Sequence, residues 1–141
     1  MGNFIIDSLV VIVCFYLFKP TESNHELKMF YKKSIWKVWI YGFTADMCGA
    51  FMLLIIGLDG QSLGFSYEMA YAVCYDPFSH PVAVMIILFS MFISAFFIFV
   101  FNYFYTYKKT ITDKGKRLKV ALAIAVLMIP WTFLFPAKWF Y

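Results

Sequence analysis

Four apolar runs alternate with short polar segments along the chain, at about 4–18, 35–58, 82–104 and 118–135. A helix needs about 20 residues to cross roughly 30 Å of hydrocarbon, so the pattern predicts an all-α membrane protein with four transmembrane helices forming a single domain over 1–141. The first run is short: about 15 residues reach only about 22 Å. Asn3, Asp7 and Ser8 are therefore expected near the outer interface, or the bilayer thins locally. The run ends at Lys19 and Pro20, and it lacks a basic leader and a small-residue cleavage site, so it reads as a retained span. Trp36, Trp39 and Tyr41 ring the start of the second run at headgroup level. The third run is entered through Pro81, tolerated in a first helical turn, and leaves through Tyr103, Tyr105 and Tyr107. The fourth is expected to kink near Pro130, with Trp131, Trp139, Phe140 and Tyr141 as its aromatic belt.

Two polar segments need their own reading. Glu26 to Lys33 is expected to form a helical turn leading into the second span. In the loop 59–81, large residues occupy every odd position from Leu63 to Tyr75, which is a strand period. A lone strand leaves its backbone groups unpaired, whereas Ser66 and Pro77 frame a short helix. A helix lying in the membrane interface is the favoured reading, with a strand as the alternative.

Charge orients these elements. The chain carries 12 Lys and Arg, 8 Asp and Glu and a net charge of +4. All the basic residues except Lys138 fall in two clusters, Lys19 to Lys37 and Lys108 to Lys119, beside the apolar runs. Basic residues in short loops remain on the cytoplasmic side, so both loops are expected inside, with both termini and the acidic, aromatic loop 59–81 outside. Lys32, Lys33, Lys108, Lys109, Lys116 and Arg117 are expected to contact anionic lipid headgroups, a placement that argues against nucleic acid as the partner. Apolar residues make up 63% of the chain and aromatics 23%, more than a water-facing surface tolerates; the expected location is the cell (inner, cytoplasmic) membrane. A basic content that is almost all Lys weakly suggests an AT-rich bacterial source.

Asp46 is the candidate site residue. It sits near the middle of the second run, where a carboxylate costs about 2.5 to 3.5 kcal/mol on the insertion scale, and no Lys or Arg occurs at mid-span to pair with it. An unpaired acid at that depth favours its neutral, hydrogen-bonded form, with Ser90, Ser94, Tyr16 or Thr132 as expected partners, unless it meets a cation or another subunit. Gly42, Ala45, Asp46 and Gly49 share one helical side, where small residues allow close packing; Ser90 and Ser94 offer a similar narrow face on the third run, as do Ala121 and Ala125 on the fourth. Phe89, Phe92, Phe96, Phe99 and Tyr103 form a stripe that reads more simply as lipid-facing or core packing than as an interface.

Other motifs carry less. Gly60-Gln61-Ser62-Leu63-Gly64 matches G-x-S-x-G and is followed by Asp76 and His80, but a nucleophile elbow needs an α/β sheet that a loop of this size cannot supply. Asp76 and His80 with Glu68 fall short of a metal-ligand motif, and His25, in a loop, leaves no intramembrane histidine for haem. Cys14, Cys48 and Cys74 show no metal or disulfide spacing. No cofactor is expected, and no set of groups converges on catalysis. The expected function is that of a non-enzymatic subunit of a larger membrane assembly (transport, secretion or protective), packed through the Gly42, Asp46 and Gly49 face. The alternative is a small homo-oligomeric channel or transporter for cations or protons, with Asp46 in the path.

Overall fold

A computed structural model describes residues 2–18, 26–109 and 111–139. Lys19, Pro20, His25, Phe140 and Tyr141, to which the sequence assigned boundary, loop or belt roles, lie outside the described residues. Among those described, every regular element is helical and none is a strand: α1 (Gly2–Phe18), α2 (Glu26–Asp59), α3 (Tyr67–Cys74), α4 (Pro81–Phe101) and α5 (Lys114–Leu127), with short 3-10 turns at Pro77–Ser79, Trp131–Leu134 and Ala137–Trp139. Three helical stretches are long and apolar enough to cross a membrane, Lys28–Asp59, Pro81–Thr106 and Lys114–Leu134, while Phe4–Leu17 is apolar but shorter.

Several boundaries have direct local causes. The polar segment before the second apolar run is wholly helical, so α2 has 34 residues and extends about 51 Å, well beyond the roughly 30 Å of hydrocarbon. In the loop 59–81 the helix prevails over the strand period: the Ser66 side chain caps α3 by accepting from the Met69 N–H at 3.3 Å. The helix's own backbone hydrogen bonds supply the partners that a lone strand would lack. Asp113 caps α5 in the same way, accepting from the Gly115 N–H at 2.9 Å. The kink expected near Pro130 is instead a termination. The α-helix stops at Leu127, and Pro130, which has no N–H to donate and restricts Ile129 before it, leads into the 3-10 turn at 131–134.

The third span ends in a π-helical turn, Asn102–Thr106, where the Tyr107 N–H bonds the Asn102 carbonyl at 3.0 Å. One extra residue per turn rotates the side chains that follow, and Asn102, Thr106 and Tyr107 all point inward and are buried.

The chain divides into two compact units. The first comprises residues 1–45 and 95–129. Its core joins Val10, Val11, Cys14 and Phe15 of α1 to Phe30, Ile35 and Val38 of α2, together with Ile98, Tyr107, Val120 and Ile124. Rings dominate the seams: Phe30 stacks on Tyr107 at 5.5 Å between centroids, and Tyr41 contacts Phe101 at 5.3 Å. The second unit comprises residues 46–94 and 130–141. There α3 lays Met69, Ala70, Ala72 and Val73 inward, and a Cβ at Gly57 would collide with Cys74 Sγ, so glycine lets the loop helix sit directly on α2. Gly64, at φ +88°, turns the chain between them in a conformation that side chains disfavour.

Charge follows the same division. Every described Lys and Arg except Lys138 belongs to the first unit, whereas Asp46, Asp59, Glu68 and Asp76 belong to the second.

Candidate functional site

The small-residue positions on α2 are used within the chain. A Cβ at Gly49 would collide with Ser94 Oγ and crowd Ser90 Oγ at 3.1 Å and Phe133 Cε2 at 3.2 Å. The Ser90 hydroxyl donates to the Gly49 carbonyl at 2.7 Å. Gly49, Ser90 and Ser94 thus form one contact of the second unit, with both serines fully buried. Close backbone approach of this kind replaces the hydrophobic driving force that lipid cannot supply. Gly42, in the first unit, faces the tip of Met128, whose Cε would lie 2.8 Å from an added Cβ.

Asp46 lies at the edge of this arrangement. Its residue is half-buried, and the α2 residues Met47, Ala50 and Phe51 that follow it are exposed. Oδ1 is shielded from solvent and has no hydrogen-bond partner among the described residues. Of the partners expected from the sequence, Ser90 gives its proton to Gly49, while Tyr16 and Thr132 are exposed. A shielded carboxyl oxygen without a partner is costly and, in a native protein, calls for an explanation in function or assembly.

The residues of the hydrolase-like motif are each engaged elsewhere. Ser62 donates to Asp59 Oδ1 at 2.7 Å, His80 Nδ1 accepts from the Val82 N–H at 3.2 Å at the start of α4, and Asp76 pairs with Lys138 at 2.5 Å. No nucleophile–base pair results, because the serine bonds the Asp59 carboxylate, the histidine caps the start of α4 and the Asp76 carboxylate holds Lys138. Glu68 and His80 share the walls of an open cleft of about 310 Å³ with Tyr67, Tyr71 and Ser79. Among the described residues no three His, Cys, Asp or Glu side chains gather where a metal would sit. Cys74 borders a second open cleft, of about 470 Å³, and desolvation by the helix it packs on raises its thiol above the ordinary value, which keeps it a weak nucleophile.

The basic residues expected at headgroups are divided in their use. Lys32, Lys33, Lys108, Lys109 and Lys116 are exposed. Arg117 is half-buried; its guanidinium lies 4.6 Å from the centre of the Tyr103 ring and donates to the Lys108 carbonyl at 3.4 Å. It therefore fastens the second basic loop to the end of α4. The Phe stripe on α4 opens outward at Phe89, Phe92 and Phe96 and closes at Phe99, which stacks on Tyr103 at 5.7 Å.

Sequence reasoning missed a second polar group, in the core of the first unit. Asp7, Ser34, Asn102 and Thr106 are buried there, and Asn102 Oδ1 and Thr106 Oγ1 have no partner among the described residues. Tyr107 is fully buried, and burial pushes its hydroxyl well above its ordinary pKa. Ser34 stands close enough to pull weakly the other way and Cys14 adds to the rise, but the two hydroxyls do not reach hydrogen-bonding geometry, so burial prevails. Asp7 and Tyr107, which the sequence placed at the interface and at the exit of the third run, are instead buried, and Asn102 at the foot of an apolar run was a further signal. Comparison with protein-family models, with curated proteins and with solved structures gives no match for the chain.

Proposed function

We propose that this protein is a non-enzymatic, multi-pass subunit of a larger assembly in the cytoplasmic membrane, of a transport, secretion or protective kind, and that Asp46 is its polar contact with a neighbouring subunit. The observation that carries the reading is the shielded Asp46 Oδ1 without a partner, on a helix whose adjoining residues face outward. Gly42 and Gly49 serve the fold rather than the partner, since each already has an occupant within its own unit. The contact therefore narrows from the glycine face to Asp46 and the exposed side chains beside it. A basic or amide group from another membrane helix would satisfy the carboxyl oxygen, and in lipid such interhelical hydrogen bonds contribute roughly 0.6 to 2 kcal/mol. The basic loops face the cytoplasm and hold anionic headgroups through the exposed lysines.

Asp46→Leu and Asp46→Asn test this reading. With the tagged chain purified gently from its native membrane, Leu is expected to release the co-purifying partner. Asn is expected to retain it if the contact is a hydrogen bond and to release it if the contact is an ion pair. Unchanged recovery of the partner with both variants overturns the proposal. A wild-type chain recovered alone as a closed ring, with cation or proton flux that depends on Asp46, establishes the channel reading in its place.

A further inference from the structure

We infer that α1 does not cross the membrane. It stands in the headgroup belt on the side of the basic loops, with its exposed apolar edge against anionic phospholipid, and the N-terminus lies on that same side. Only the assignment of that side to the cytoplasm rests on the orientation proposed above; the relation of the N-terminus to the basic loops does not.

The contacts of α1 along α2 fix its level. The Phe4 ring meets Trp36 at 6.0 Å and Trp39 at 6.1 Å, Ser8 accepts from the Tyr31 hydroxyl at 2.8 Å, and Phe15 meets Phe30 at 5.3 Å. The two helices thus run antiparallel, and these contacts fall between Phe30 and Trp39. That segment carries Lys32, Lys33 and Lys37, with Lys28 just before it, all exposed. From Trp39, α2 continues for about 19 residues, or about 28 Å, to Leu58, beyond the level of these contacts. A fourth span would have to follow that length.

Lipid is the occupant that fits the uncovered edge. Ile5, Ile6, Leu9, Val13 and Leu17 are 44–68% exposed on the side of α1 away from the core. The end of that edge nearest the bilayer, Ile5, Ile6 and Leu9, is flanked by Trp36, Trp39 and the exposed Lys37, a combination suited to the boundary between headgroups and acyl chains of an anionic membrane.

Two measurements test the inference. In a Cys74→Ser background, Asn3→Cys, Lys109→Cys and Gln61→Cys are labelled in sealed vesicles with a membrane-impermeant maleimide. Positions 3 and 109 are expected to react from the same face and 61 from the other. Labelling of 3 and 61 from one face, with 109 opposite, overturns the inference. If 109 reacts from the outer face together with 3, the proposed cytoplasmic orientation fails while the inference stands. In vesicles of phosphatidylglycerol and phosphatidylethanolamine, nitroxides at Ile5→Cys, Leu9→Cys and Val13→Cys are expected to be deepest at 5 and steadily shallower to 13. A maximum depth at 9, near the bilayer centre, is the result for a spanning helix and contradicts the inference.

Discussion

Gly42 and Gly49 are alike in the sequence and differ in what surrounds them, so they are expected to respond differently to alanine. At Gly49 the added carbon meets short, fully buried side chains on a facing helix, so the backbones must separate. Gly49→Ala is expected to destabilise the fold by about 1 to 3 kcal/mol, read as the loss of denaturant or thermal resistance in mild detergent. At Gly42 the obstacle is the end of the flexible Met128 side chain, and Gly42→Ala is expected to cost less than about 1 kcal/mol in the same assay. Tyr107 gives a prediction in pH. In the unfolded chain its hydroxyl releases a proton near pH 10, while burial holds the proton on in the fold. Above about pH 10 the unfolded state therefore binds fewer protons, and stability falls as pH rises, by about 1 kcal/mol per pH unit from this group. Tyr107→Phe is expected to make the alkaline fall of the unfolding free energy shallower by that amount, and an unchanged slope contradicts the burial argument.

At the scale of elements, Ser66 frames a short helix as the sequence indicates, whereas Pro130 follows the end of α5 where a kink was expected and the Asp113 cap was not foreseen. Ser66 begins α3, Asp113 begins α5, and Pro130 prevents α5 from continuing. Ser66→Ala is expected to cost about 1 kcal/mol and to raise amide exchange over residues 67–70 first, since the lost bond is local to the first turn of α3. The long apolar runs were legible because hydropathy and length carry them directly. Three features were not. The π turn at 102–106 shifts the register by one residue, which periodicity over a uniformly apolar run cannot register. The partners of Asp46 depended on which serine faces which backbone carbonyl, and Ser90 proved to be committed to Gly49. The level of α1 depends on its tertiary seam with Phe30 to Trp39; an apolar composition is equally compatible with crossing the bilayer and with resting at its boundary.

At the scale of the whole molecule, three stretches long and apolar enough to cross a bilayer describe a membrane protein, and its first unit carries every described Lys and Arg but Lys138. The second unit packs through Gly49, Gly57, Ser90 and Ser94 and the first through apolar and aromatic side chains, and the outer faces of the helices carry Phe, Leu, Met and Ile. Within that apolar exterior Asp46 is the exception, and the account turns on whether another chain satisfies it. The most direct test is the mass of the intact particle released gently from native membrane and measured for wild type and for Asp46→Leu. The account predicts a wild-type particle containing this chain and at least one different membrane protein in fixed ratio, and a lighter particle without that protein for Asp46→Leu. A wild-type chain that emerges by itself, or a particle of unchanged mass and composition after the substitution, contradicts it.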